Sequence, residues 1–519
     1  MTHKSALEAD IVVAGAGHNS LIAAAYLAKA GFQVIVLEAR SVIGGNTVTE
    51  ELTMPGFRHD SCASAHVLIQ ANPLMRNNEL GLDAYGLDYV FTDPAVVMPF
   101  DDGASITMWR DPARTVDELS RFSHQDAASY IELLREWSDV LKSVHAANMN
   151  SAPSDHDPST RAEKRYAEIA EKSAMHVITD RFSEPHVQSF IAWLSFATIQ
   201  DIRRPGTGIL PFSVTSGRQE FGWALPRGGS IMLPNACAAL IEAHGGQILV
   251  NAPVSEIIVE KGRAVGVATS EGRVVKARRA VLSTIHAALL PEVLPEGALP
   301  EDVVASAKEW RAGLTMFTVH LAVRGSPLVR VGDQRVESVA LAIGSKTGLL
   351  EQIKKHDEGH THPVDPWMLA VMPCTVDPAR APEGMSVMKF LSIGPRNLDG
   401  ITWDEEKPRL ASALLDRALK HTTLVEGDVL AAVAECPLDL EARNPHNFLG
   451  SCHGGELLPE RSGINRPFRG WSEYRMPVAG LYQTGATTHP GGSVSGRPGR
   501  NAARVLLDDL GVDPRTVMA

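Results

Sequence analysis

The sequence predicts an α/β protein in which a Rossmann-type dinucleotide-binding domain is interrupted by two insertions that together form an α+β substrate domain. Three observations predict it. A βαβ pattern with a glycine-rich turn opens the chain. A glycine-dense loop leading into a helix closes it. Between them a helix and a run of short strands return to the character of the first segment, while the stretches on either side do not.

The opening unit is Asp10 to Gly45, DIVVAGAGHNSLIAAAYLAKAGFQVIVLEARSVIGG. Ile11 to Ala14 is a β-branched apolar run, Ser20 to Ala30 an Ala-rich helical pattern, and Val34 to Leu37 a second apolar run ending in Glu38. Gly15 permits the tight turn, Gly17 lets the backbone approach a pyrophosphate, and the helix start turns free N–H groups toward that anion. Ser20 stands at the third glycine position, where a small residue still allows helix and strand to pack closely. Glu38 sits where a carboxylate accepts hydrogen bonds from ribose hydroxyls. Gly44-Gly45 adds a second close-approach loop.

The order of strand, turn, helix, strand and acid is more specific than the glycines alone. Chain length, 519 residues, allows more than one domain. A net charge of −12 argues against a nucleic-acid partner. Five cysteines, Cys62, Cys237, Cys374, Cys436 and Cys452, form no CxxC, so a dithiol pair of that type and a cysteine-rich zinc site are not expected, nor is any other metal site. The polar stretch before Ile11 has no signal-peptide core, and no apolar run reaches the ~18 residues of a membrane span. The expectation is a cytoplasmic protein without a transmembrane segment, with peripheral membrane contact and oligomeric state left open.

Along the chain, Pro55-Gly56 is a turn before a strand holding His59 and Asp60. Short strands follow from Val90 to Arg110. Ser123-His124-Gln125-Asp126 has the form of a capping box, with Ala127, Tyr130, Ile131, Leu134, Trp137 and Leu141 on one helical face. Arg161 to Leu194 is mostly helical. The first fold resumes near Gly222, with a helix from Leu233 to Ala243 and strands at 248–250, 254–260, 263–269, 273–277 and 280–284, read as a small meander on the edge of the nucleotide domain. A second excursion carries strands at Met316–Val323, Trp367–Met372 and Met385–Ile393 and a helix from Lys407 to Leu419. The expected division is 1–85, 220–300 and 435–519 for the nucleotide domain and 86–219 with 301–434 for the substrate domain. The last segment runs from a strand at Leu481–Thr484 through Gly485, Gly491, Gly492, Gly496 and Gly499 into a helix starting near Asn501. So many glycines in one loop mean backbone passing close to something flat or anionic.

Gly15-Ala-Gly-His-Asn-Ser20, the Gly44-Gly45 loop, Pro226-Arg-Gly-Gly229 and Thr488-His-Pro-Gly-Gly492 through Ala503 resemble the phytoene-desaturase-like branch of FAD-dependent oxidoreductases. Within it they are most similar to the subgroup that includes pyridine nucleotide-disulphide oxidoreductase domain-containing protein 2. The resemblance spans the chain and is thinner in the two excursions. It implies a glutathione-reductase-like FAD-binding domain: pyrophosphate over Gly15 and Gly17, ribose on Glu38, adenine near Val254. It places the flavin between Gly44-Gly45 and the loop from Gly485 through Pro490 and Gly491 to Val494. Disulphide reduction is not carried over, because CxxC is absent.

A flavin accepts hydride at N5, and the resemblance implies dehydrogenation, desaturation or oxidation of a fairly apolar small molecule. The candidate catalytic groups are His489, His59 and Asp60, with His453 a further one. Each has a structural alternative: His489 held extended ahead of Pro490, Asp60 capping a turn, the other imidazoles packing. Arg466 and Arg500 read first as solvated charges. Amine oxidation has no motif in its favour. A redox-neutral isomerase or hydratase and a flavin-bound scaffold remain the alternatives.

Overall fold

The computed structural model describes residues 7–519. The first strand, β1 (Leu7–Ala14), leads through helix α1 (His18–Lys29) to β2 (Val34–Leu37), parallel to it with Ile11 opposite Val34 and Ala14 opposite Leu37. Asn19 to Ala28 are all buried, because α1 lies between the helices Met232–Ala243 and Arg497–Asp509. A helix enclosed all round needs small apolar residues all round, which is what its alanines supply.

The seven-stranded sheet around β1 has the order Val254–Glu260, Arg263–Thr269, Val274–Ser283, β1, β2, Gln247–Leu249, with Leu481–Gln483 also paired to Val274–Ser283. The sequence places a small meander on the edge of the nucleotide domain, and Val254–Glu260 with Arg263–Thr269 do stand antiparallel at that edge; the difference lies in the next strand. What reads as two strands, 273–277 and 280–284, is one. Its first half pairs with Arg263–Thr269 and its second half runs parallel between β1 and Leu481–Gln483. The meander is therefore continuous with the sheet centre.

A second seven-stranded sheet has the order Val429–Glu435, Met316–Arg324, Met385–Ile393, Met368–Val371, Ala340–Ile343, Val96–Pro99, Ser105–Met108. Strands from both excursions thus share one sheet. Helices between 124 and 221 bury Trp193, Phe196 and Phe212 beside it, with Trp193 stacked on Trp367 at 5.5 Å.

Three local expectations are corrected. Ser123 Oγ accepts from Asp126 N, but the Asp126 carboxylate turns to the N–H groups of Ser183 and Glu184, so no reciprocal capping box forms. The helix expected from Lys407 begins at Trp403, where Glu405 accepts from both the N–H and hydroxyl of Thr402. The final helix begins at Arg497, after Gly496 at φ +65° and with Pro498 in its first turn, not near Asn501; Gly499 lies inside it as a packing glycine, where a Cβ would lie 2.2 Å from Asn19 O on α1. No helix among the described residues is long and apolar enough to cross a membrane.

Candidate active site

A cleft of about 450 Å³ is lined by residues of both sheets and their connections. One end is made by backbone. Gly15 has φ +100°, and a Cβ on it would lie 2.5 Å from Thr284 Cγ2; Gly485 has φ +106°, and its Cβ would lie 2.6 Å from Thr284 Oγ1. Thr284, whose N–H donates to Ala14 O at 2.9 Å, is thus wedged between the two glycine turns. Gly44, at φ +109°, could carry a Cβ only 2.3 Å from Thr47 O, and its N–H donates to Ala16 O at 2.7 Å. Gly17 ends the turn without a side-chain cap, so the first N–H groups of α1 stand open toward the cleft that Gly17, His18 and Asn19 line. His18 Nε2 is buried there without a partner.

Glu38 Oε2 accepts from Ala16 N and Oε1 from Arg40 N, each at 2.9 Å. Its carboxylate therefore holds the turn and still lines the cleft, with lone pairs to spare. Pro253 and Val254 line it beyond Glu38, and Gly45, Ser493 and Val494 line it near Gly485. Open helix N–H groups, two glycine turns that admit no Cβ, and a carboxylate one strand away fit an extended flavin dinucleotide.

The other end is made by side chains: Ala65, Ala197, Ile199, Trp223, Met316, Leu369 and Leu391. Ile199 holds φ +54° and Ser493 φ +88°, positions that cost a non-glycine residue energy and occur where the surroundings impose them. Arg218 also lines this end, over the Trp223 ring at 4.1 Å. Cys62 and Cys452, far apart in sequence, meet on the cleft wall, with Cys452 Sγ 3.3 Å from Met316 Sδ. Lys389 supports that wall by donating to Cys62 O at 2.6 Å and Ser64 Oγ at 3.1 Å.

Of the residues singled out in the sequence, Gly15, Gly17, Glu38, Gly44, Gly45, Val254, Gly485 and Val494 line the cleft, as does His453. Ser20, Pro490, Gly491, His59, Asp60 and His489 do not. The Ser20 hydroxyl donates to Gly15 O and Gly17 O and braces the turn from behind. Gly491 packs against Leu457. His489 Nε2 meets Asn148 O at 2.9 Å, and His59 Nε2 meets Thr53 Oγ1 at 2.8 Å. Asp60 accepts from Arg380 at 2.6 Å, Thr49 Oγ1 at 2.7 Å and Ser230 N at 2.8 Å. Burial opposes its charge, and the Arg380 guanidinium with these hydrogen bonds holds its pKa below the usual value nonetheless.

Arg466 and Arg500 are not solvated. Arg466 is 1% exposed and donates to the carbonyls of Gly454, Glu456, Arg461 and Ala486. Arg500 forms a two-point pair with buried Glu79. Sequence reasoning missed Thr284, His286, Asn444, His446, Arg218 and Trp223, all on the cleft. Thr284 was within reach, since it directly follows the strand Val274–Ser283 at the centre of the sheet; the others carry no local motif. Burial lowers the pKa of His18, next to His446, to about 4, and that of His446 and His453 each to about 4, so these imidazoles are neutral at pH 7. Among the described residues no group of three or more His, Cys, Asp or Glu is placed to hold a metal.

Residues 21–507 match the family model of flavin containing amine oxidoreductases. The chain is 29% identical over 552 aligned positions to pyridine nucleotide-disulfide oxidoreductase domain-containing protein 2 of Mus musculus, covering 97% of this chain and 94% of that protein. It is 25% identical to one of the subunits of the limonene dehydrogenase of Castellaniella defragrans, over 98% and 96% of the two chains. It is 23% identical to a lycopene-forming phytoene desaturase of Pseudescherichia vulneris, over 96% and 99%. Cyclohexylamine oxidase from Brevibacterium oxydans superimposes with a TM-score of 0.59 at 18% identity, covering 97% of this chain and 99% of that one. The resemblance drawn from the motifs and these matches agree.

Proposed function

We propose, from the premise that this chain belongs to the family of flavin containing amine oxidoreductases and is an FAD-dependent oxidoreductase, that it dehydrogenates a mainly apolar small molecule. The observation that carries this reading is the wall of the side-chain end, where Ala197, Ile199, Trp223, Met316, Leu369 and Leu391 enclose the reacting space. The carboxylates lining the cleft are Glu38, engaged with the glycine turn, and Glu292. None stands at the side-chain end to receive a protonated amine, which favours oxidation of a C–C unit over that of a cationic amine. Limonene dehydrogenase and phytoene desaturase, among the relatives, bear names of that chemistry.

When bound, FAD supplies the hydride acceptor at N5 of its ring. In this chain Gly15, Gly17 and the start of α1 would take the pyrophosphate, Glu38 the ribose, and Pro253 with Val254 the adenine. The Gly44-Gly45 loop and the Gly485–Val494 segment would flank the ring. The apolar wall orients the substrate and excludes water from the reacting space. His18, His446 and His453 line the cleft as neutral imidazoles at pH 7, and burial, which lowers each pKa to about 4, makes them weak bases there. The division 1–85, 220–300 and 435–519 against 86–219 and 301–434 makes the first sheet a glutathione-reductase-like FAD-binding domain and the second the substrate domain. A cytoplasmic location suits five free cysteines.

The test is an anaerobic titration of the purified FAD-loaded enzyme with cyclic and linear alkenes, terpenes, acids and amines. Bleaching of the flavin absorbance by a C–C substrate supports the reading. Bleaching by amines alone overturns it.

A further inference from the structure

We propose that the molecule this cleft accepts carries one carboxylate on its apolar body, and that Arg218 binds it. The inference rests on the side-chain end being the substrate site, as read above.

Arg218 lies on the helix Leu210–Phe221 and is 6% exposed. Four arginines are buried among the described residues, and three are satisfied at least in part. Arg380 is paired with Asp60 and Asp377, Arg466 donates to four carbonyls, and Arg497 donates to Asn150 Oδ1. Among the described residues the Arg218 guanidinium has no acceptor and no carboxylate pairs with it: Nε and Nη1 are closed off without a partner, which leaves Nη2 as the nitrogen open to a ligand. Its contact is the face of Trp223, which holds the fork in place but leaves its hydrogens unused. Burial pushes its pKa down only to about 9, so the group remains a cation at pH 7.

A buried cation with unmet donors is unfavourable until an acceptor arrives, and the cleft is the space it adjoins. One guanidinium offers one positive charge and a planar set of donors, which matches a carboxylate. A phosphate dianion would call for a second cation. Lys389 is the other buried cation behind this wall, and its Nζ is already spent on Cys62 O and Ser64 Oγ. Trp223 stands against Arg218, and Ile199, Leu369 and Leu391 line the same cleft, so the rest of the ligand is apolar.

The experiment uses FAD-loaded enzyme with oxidised flavin, read by the perturbation of the flavin spectrum as decanoate and 3-phenylpropanoate are titrated against decanamide and 3-phenylpropanamide. The wild type is expected to bind the acids at least ~10-fold more tightly than the amides, the size of one charge-assisted hydrogen bond. Arg218→Met should erase that preference and Arg218→Lys retain part of it. Arg218→Met is expected to keep its FAD and melt no lower than wild type, since removing an unpaired buried charge is not costly. Equal affinity for acid and amide in the wild type overturns the proposal. So does a preference that survives in Arg218→Met, or loss of FAD from that variant, which would assign the arginine to the cofactor. Because this titration requires no turnover, its failure is distinct from failure of the dehydrogenase reading, which flavin bleaching decides.

Discussion

At one end of the cleft the contacts are made by backbone, at Gly15, Gly17, Gly44, Gly45 and Gly485; at the other they are made by Ile199, Arg218, Trp223, Leu369 and Leu391. The glycine end has little freedom to vary, because a Cβ on Gly15, Gly44 or Gly485 would lie 2.5, 2.3 or 2.6 Å from a neighbouring atom. The side-chain end is assembled from a helix, several loops and three strands of the second sheet, and any of these can change without breaking the turns. A single fold can therefore keep one cofactor chemistry while its substrate changes, and mutation should separate the two ends.

The largest separation is expected from Gly44→Ala. Its Cβ would meet Thr47 O at 2.3 Å and Pro234 Cγ at 3.0 Å, on a residue at φ +109°. Backbone cannot yield as a flexible side chain can, so a loss of more than ~4 kcal/mol of stability, or loss of FAD, is expected. Thermal melting with and without added FAD measures it. A variant that binds FAD like the wild type would remove the distinction between the two ends.

Next in size is Asp60→Asn. Asp60, Arg380 and Asp377 form a buried ion network joining the strand at His59 to the turn at Pro378–Arg380 beside the second sheet. Removing one charge leaves Arg380 half-compensated, at an expected cost of about 3 kcal/mol in denaturant unfolding. Since Asp60 does not line the cleft, the rate of flavin reduction in the folded fraction should stay within about threefold of wild type, whereas catalytic losses at a reacting proton are typically ~100-fold or more. A loss on that scale with stability intact would make Asp60 part of the chemistry.

The same contrast explains what could be read in advance. The βαβ unit was legible because strand, turn, helix and acid lie within one short segment, and each glycine position has a local steric cause. The C-terminal loop was legible for its glycines but not for their individual roles: Gly485 faces the cleft, Gly491 packs on Leu457 and Gly499 lets two helices cross. The substrate end was largely silent. Arg218 and Trp223 lie far from Leu369 and Leu391 in sequence, and no spacing rule links a helix residue to a strand in another segment. The three catalytic candidates were chosen for residue type near glycine turns, and type does not say which way a side chain faces.

A graded effect, spread over several pH units, comes from the buried imidazoles. His18, His446 and His453 hold pKa values of about 4 in the fold, against ~6.5 in the unfolded chain. Between these values the unfolded state binds protons that the folded state refuses. Stability is therefore full above about pH 6.5 and falls as the pH drops toward 4, by at most ~1.4 kcal/mol per pH unit for each imidazole. His18→Asn should flatten this slope by up to one imidazole's share, while Arg218→Met at the other end should leave it unchanged. Melting curves from pH 7.5 to 4.5 test both.

The smallest effect is expected at His489, the residue whose sequence context made it the first catalytic candidate. It is 5% exposed, burial lowers its pKa to about 4, and its Nε2 is used on Asn148 O rather than on the cleft. Its own carbonyl accepts from the Tyr474 hydroxyl at 2.8 Å, so its backbone is held independently of its ring. The imidazole thus ties the C-terminal loop to the helix that ends at Met149. His489→Gln keeps a donor of similar reach and should lose about 1 kcal/mol of stability, the worth of one hydrogen bond imperfectly replaced. Stopped-flow flavin reduction should remain within about twofold of wild type, because the ring touches neither end of the cleft. A tenfold fall in reduction rate with unchanged melting would mean that the C-terminal loop turns His489 inward when FAD is bound, and that the glycine end contributes a side chain to the chemistry after all.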